Sequence, residues 1–153
     1  MQHHDDQALE MAELMRTGCL VVRMDRMHRL VTRVFEEALR PLGLSLPQLE
    51  LLSTLTLVGH PIRPAELAEL TAVERSTMSR NLAVLQDRGW VVTTRSSPTG
   101  RTMAVTITPE GSRQLADAHT AWSSAQHTII TALGADAPAV LDGWITGLAR
   151  ATR

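Results

Sequence analysis

The sequence contains no tyrosine and no lysine, a single cysteine, a single phenylalanine and three tryptophans. Each shortage excludes something. Without lysine there is no Schiff-base chemistry, and all fifteen cationic side chains are arginines, so any phosphate contact falls to guanidinium groups, hydroxyls and backbone amides. One cysteine, Cys19, excludes an internal disulfide. No apolar run reaches the roughly 18 residues of a membrane helix, so no membrane partner is expected. The acidic start MQHHDDQALEMAELM lacks the positive-then-apolar pattern of a secretion signal, which leaves the cytoplasm as the expected location. The six histidines form no HxxxH or His/acid cluster and there is no CxxC, so no metal site is expected. A nucleophile elbow, a phosphate loop and paired carboxylates are also missing, and neither an enzyme nor a cofactor is expected.

What is present is a globular composition of 153 residues, long enough for one domain that buries about two-thirds of its unfolded surface. The net charge of −1 is unevenly spread. Residues 1–15 hold four acids and no arginine, whereas residues 71–108 hold five arginines against two acids. The basic stretch marks the place for a nucleic-acid footprint.

That stretch contains RPAELAELTAVERSTMSRNLAVLQDRGW, residues 63–90, which reads as two helices joined by a short turn. Pro64 suits a first helical turn, and Ala65, Leu67, Ala68 and Leu70 supply an apolar side. Thr71 to Val73 make the turn. The second helix runs from about Glu74 to Arg88, with Met78, Leu82 and Leu85 on one inward stripe and Gly89 as a left-handed cap. At about 100° per residue, Ser76, Thr77 and Arg80 lie nearly opposite that stripe, with Arg75 and Ser79 on its borders. A small, hydroxylated, Arg-bearing surface is what a helix entering the major groove needs: Arg spans guanine O6 and N7, while Ser and Thr reach base edges or phosphates without bulk. Two β-rich runs follow, Trp90 to Thr94 and Thr102 to Thr108, around a Ser/Pro/Gly loop that carries Arg95 and Arg101. Met103, Val105 and Ile107 alternate with Thr102, Ala104, Thr106 and Thr108 at the period of a half-buried strand. An Arg-tipped hairpin beside a recognition-type helix suits a minor groove or its phosphates.

With LPQLELLSTL, AELAEL, VERSTMSRNLAVLQDRGWV and VTITPEG in this order and spacing over residues 20–150, the chain resembles the MarR family of bacterial winged helix-turn-helix transcriptional regulators. One departure concerns the wing. The family pattern places an Asp two residues before the wing Arg, and here that position is Thr99, so Arg101 lacks its orienting carboxylate.

The flanking sequence completes a mainly α fold with one β-hairpin wing. A long helix is predicted from about Gln7 to Arg40, with Leu20, Met24, Met27, Val31, Val34 and Ala38 on one stripe and Arg26, Arg29, Arg33 and Arg40 on another. Ser45 to Gln48 is a capping-box pattern that opens the next helix, whose apolar side is Leu49, Leu52 and Leu55. After the wing, Thr108 caps and Pro109 opens a helix running to Gly134, and a last helix spans about Pro138 to Arg150. The apolar stripes of the terminal helices exceed what one winged helix can cover, which points to a second subunit. The reading is a single MarR-like domain over 1–153, with dimerisation helices at 7–40 and 109–150 around a winged helix-turn-helix core at 45–108.

The function expected is sequence-specific recognition of duplex DNA by a homodimeric repressor. Two recognition helices about 34 to 36 Å apart would read an inverted repeat. The DNA-contacting set is Arg75, Ser76, Thr77, Ser79, Arg80, Arg95 and Arg101. The resemblance implies release by a small aromatic or acidic effector bound where the dimerisation helices meet the winged helix, and Arg23 and Asp25 are the candidate polar lining. Two alternatives stand beside it: a redox-sensing regulator acting through Cys19, and a winged helix that serves as a protein-interaction module without DNA. Family members that sense peroxide hold the thiolate with tyrosines, which this chain lacks, so Cys19 reads more simply as a small apolar residue.

Overall fold

The structure, a computed structural model, describes residues 2–71, 73–95 and 103–152, with side chains from residue 4 onward. It divides into two compact units, Met1–Val34 and Phe35–Arg153. Eight helices are described: α1 (Gln2–Gly18), α2 (Leu20–Leu39), α3 (Leu46–Val58), α4 (Pro64–Leu70), α5 (Arg75–Asp87), α6 (Pro109–Asp117), α7 (His119–Leu133) and α8 (Ala137–Ala151). A 3-10 turn, Arg40–Leu42, follows α2, and strands β1 (Val91–Arg95) and β2 (Met103–Ile107) pair antiparallel.

The larger unit is built around α3. Leu51, Leu52 and Leu55 are fully buried on it together with Leu49, so the helix is apolar on nearly every side and is enclosed by α4, α5, α6 and β2. Its start is fixed locally. Ser45 Oγ accepts from Gln48 N while Gln48 Oε1 accepts from Ser45 N, a complete capping box, and Gly59 (φ +69°) ends the helix in the left-handed region. Leu39, Leu67, Met78 and Leu85 close the same core from α2, α4 and α5.

The hairpin register runs from Val91 opposite Ile107 to Arg95 opposite Met103. A third segment joins it: Ile62 N donates to Val105 O and Val105 N to Ile62 O, at 3.0 and 2.8 Å. Thr108 then ties the wing to the next helix, donating through its hydroxyl to Gly89 O at 2.7 Å and accepting from Gly111 N at 3.0 Å. Gly111 packs so closely on the Trp90 carbonyl that a Cβ there would lie 2.1 Å from the oxygen.

Several sequence expectations are corrected. The helix expected over 7–40 is two helices, interrupted at Cys19 directly after Gly18, where the helix loses a good propagating residue. The helix expected from Pro109 to Gly134 is two helices that meet at Ala118, which stays helical (φ −72°, ψ −13°) and keeps its hydrogen bonds to Gln114 O and from Trp122 N. The inward side of α2 over its last turns is Phe35 and Leu39, both buried, whereas Leu20 and Met24 of the expected apolar stripe are exposed. Leu70 is exposed rather than part of the inner side of α4. In β2 the alternation fails at its start, because Met103 is exposed and both Ala104 and Val105 are buried, the latter bridged through its backbone to Ile62.

Candidate nucleic-acid interface

Helix α5 divides into two faces. Met78 and Leu85 are buried, with Leu82 packed against the same core; opposite them Ser76 and Arg80 are exposed, Arg75 and Ser79 are exposed on the borders, and Thr77 is half-buried. The hydroxyl of Ser76 donates to Glu74 Oε2 at 2.8 Å and that of Ser79 to Arg75 O at 3.2 Å. Both hydroxyls therefore present lone pairs outward and can turn to a new partner. Arg75 and Arg80 form no ion pair among the described residues, which leaves both guanidinium groups charged and facing outward there. The face is narrow, polar and positive, and it can offer a bidentate fork with flanking hydroxyls.

A polar latch sets how α5 sits on α3. Gln48, 8% exposed, donates through Nε2 to Asn81 Oδ1 at 3.1 Å, and Asn81 Nδ2 donates to Thr77 O at 2.9 Å. One amide of α3 thus completes its own cap and holds the recognition-type helix. Sequence reading missed Asn81; the available signal was a lone amide between Met78, Leu82 and Leu85. The far end of α5 is fastened by Arg88, whose guanidinium lies 4.8 Å from the Trp90 ring centroid and donates through Nη1 to Gly43 O. Arg88 is accordingly a structural cation, not part of the outward set. Gln86 Oε1 accepts from Thr93 Oγ1 at 3.0 Å and links α5 to the wing.

Arg95 is exposed at the last position of β1. Arg101, with Thr99, lies outside the described residues. At the start of α4, Arg63 pairs with Glu66, and its hydrogen bond holds the Glu66 carboxyl below the usual carboxylate range; the reciprocal contact raises Arg63.

A concavity of about 660 Å³ opens between α3 and the α6–α7 junction. Leu49, Leu115 and Trp122 give it apolar walls, and Glu50, Ser53 and His119 give it polar positions. The Trp122 ring stacks on Phe35, centroids 6.5 Å apart and planes at 30°. Arg23 and Asp25 are not among its lining residues: both are exposed on α2, and Arg23 Nη2 donates to Thr17 O. Cys19 is half-buried at the α1–α2 junction. Among the described residues no three His, Cys, Asp or Glu side chains gather as a metal site, and no helix is long and apolar enough to cross a membrane.

The sequence of residues 42–102 matches the sequence model of the MarR family. No curated protein sequence matches the chain. Among solved structures, the M. tuberculosis transcriptional regulator MosR in complex with DNA is 29% identical, with a TM-score of 0.72 over 88% of this chain and 96% of its own. The transcriptional repressor CouR, bound to a 23-mer DNA duplex, is 25% identical, with a TM-score of 0.73 over 91% of this chain and 96% of its own. The organohalide-sensing regulator RdhR in its 2,4-dichlorophenol-bound form shares the fold at 16% identity, with a TM-score of 0.77 over 87% of this chain and 79% of its own. Over residues 42–102 by sequence, and across most of the chain by fold, this protein is similar to the MarR-family regulators.

Proposed function

We propose that this protein is a sequence-specific, DNA-binding transcriptional regulator that represses by occupying an inverted-repeat operator as a homodimer. The observation that carries this reading is the outward face of α5: Ser76 and Arg80 are exposed opposite a buried stripe, flanked by exposed Arg75 and Ser79, on a helix held by the Gln48–Asn81 latch. Thr77 sits at the border of that face, where its methyl or hydroxyl reaches a base edge only with the helix deep in the groove. Arg95 and Arg101 are proposed to hold phosphates or the adjacent minor groove from the wing. The DNA-bound structures of MosR and CouR support this use of the fold.

Dimerisation would use the terminal helices. On α8, Trp144, Ile145 and Leu148 are each more than half exposed, and Leu133 on α7 is also open. Such a run on one helix is far from the scattered apolar residues of a monomer surface. Two winged helices on a two-fold axis would then read successive turns of the duplex.

The α3–α6/α7 groove is proposed as the effector site, a use that the 2,4-dichlorophenol complex of RdhR supports. A ligand there that favours a dimer with another helix separation would release DNA by population shift, in proportion to its differential affinity.

The test is selection of bound sequences from random duplex DNA, followed by binding measurements on the selected site. Arg80→Ala should weaken binding to that site by about 1–3 kcal/mol and relax specificity at one position. Arg101→Ala should weaken binding evenly across sequences and reduce the salt slope by about one. If both variants bind as wild type does, the groove assignment is wrong.

A further inference from the structure

Residues 4–34 contain no buried side chain. Helix α1 is only 17 residues long, near the limit at which even an Ala-rich helix is marginal by itself, and it exposes Leu9, Met11 and Leu14 to water. Its neighbour α2 exposes Leu20, Val21, Met24 and Leu30 over the same unit. Something must cover this pair of helices.

The charges say what. Helix α1 carries Asp5, Asp6, Glu10 and Glu13 against Arg16, and residues 20–34 carry Arg23, Arg26, Arg29 and Arg33 against Asp25. At helical spacing Asp6, Glu10 and Glu13 form one stripe with Leu9 and Leu14 on its borders, while Arg26, Arg29 and Arg33 form another beside Val22 and Leu30. All six charged side chains are exposed, and none is in an ion pair among the described residues. The two stripes are complementary in sign and in spacing, yet they cannot meet within one chain. Only Cys19 separates α1 from α2, which is shorter than the roughly two to five residues of a helical hairpin. The Arg23 guanidinium, moreover, spans the junction by donating through Nη2 to Thr17 O, while the Arg23 backbone N donates to Cys19 O.

We propose that α1 is a clasp onto a second copy of this chain: its acidic stripe lies along Arg26, Arg29 and Arg33 of the other copy's α2, reciprocally, with Leu9 and Leu14 covering that helix's Val22 and Leu30. The clasp rests on the two-fold assembly proposed above and adds to it a charge-selective contact made by the N-terminal segment. Such a contact gives the dimer partner choice, because a related subunit without the matching stripe would meet an uncompensated charge.

The experiment uses two full-length variants, an acid-reversed one (Asp6→Arg, Glu10→Arg, Glu13→Arg) and an arginine-reversed one (Arg26→Glu, Arg29→Glu, Arg33→Glu), with circular dichroism confirming that each keeps its helix content. Sedimentation equilibrium at low salt should show the dimer dissociation constant of each raised by about tenfold or more. Mixing the two should form the heterodimer well above the statistical half, because both trans contacts are then attractive, and added salt should erase that preference. A statistical mixture, or reversals that leave the dissociation constant unchanged, overturns the clasp and leaves the two-fold reading standing. Intact dimers whose arginine reversals lose only affinity for random-sequence duplex DNA also overturn it and reassign the α2 arginines to phosphates. A wild-type chain that sediments as a monomer overturns both.

Discussion

Asn81 accepts a 3.1 Å hydrogen bond through Oδ1 from Nε2 of Gln48, 33 residues earlier in the chain, and hands the constraint on through Nδ2 to the Thr77 carbonyl. Gln48 is also the third residue of its own helix and completes the Ser45 capping box. The same amide therefore fixes the start of the central helix and the seating of the helix proposed to read DNA.

Asn81→Ala should destabilise the fold by about 1–3 kcal/mol, because it strands the buried Gln48 amide without an acceptor. A Gln48/Asn81 double-mutant cycle by urea denaturation should return a coupling energy of at least about 0.5 kcal/mol. Additive losses would show that the latch transmits nothing. Asn81→Ala should also lower affinity for the selected DNA site although Asn81 is not in the proposed contact set, since the helix it seats becomes less well oriented.

Gly111 has no room for a side chain. A Cβ would sit 2.1 Å from Trp90 O and 2.9 Å from Ile107 Cγ1, and the Trp90 carbonyl is held by Thr108 N while Trp90 N is held by Leu85 O. Neither neighbour is a flexible side-chain end. Gly111→Ala should therefore destabilise by about 1–3 kcal/mol, as overpacking does, read as a lowered urea midpoint; an unchanged midpoint would mean that the wing–α6 junction yields freely.

Glu66 is held below its ordinary pKa, chiefly by its hydrogen bond from Arg63. A depressed carboxyl contributes stability above its unfolded pKa, near about 4.3, and loses it as pH falls through the lower folded value. Both side chains are well exposed, so the contribution is small and salt-sensitive. An NMR titration of the Glu66 carboxyl should place its midpoint below that of a model peptide, and Arg63→Ala should raise it part of the way back, because the backbone N–H of residue 63 still donates to the carboxyl. A normal midpoint in the wild type would remove the pair from any account of the start of α4.

Cys19 is half-buried at a helix junction, without a second thiol in the chain for a disulfide. Cys19→Ser should leave DNA affinity unchanged, and peroxide should not alter wild-type binding reversibly. Reversible peroxide-dependent loss that disappears in Cys19→Ser would instead establish a redox sensor.

Much of this was readable because it is local. The Ser45 capping box, the Thr108 cap, the left-handed Gly59 and Gly89, and the Met78/Leu82/Leu85 stripe each depend on residues within a turn or two of one another, and each forms as its spacing predicts. Gly18 carried the signal for the break at Cys19, but the long apolar periodicity across it outweighed one glycine. The misplaced inner side of α2 has a different origin. Periodicity identifies stripes on a helix without saying which stripe meets a neighbour, and Phe35 and Leu39 were buried by the winged-helix core rather than by their helix's longest apolar run.

By itself the sequence determined the element types, the caps, the polar outward face of α5 and the sign of charge on each terminal helix, since backbone preference and side-chain spacing act over a few residues. Only the tertiary structure decided that Ile62 joins the hairpin, that Gln48 meets Asn81, that Arg88 is spent on Trp90 and Gly43, and that a groove opens between residues of α3, α6 and α7. Those pairings join residues far apart in the chain, and their geometry exists only once the α3 leucines have collapsed and fixed where each element lies.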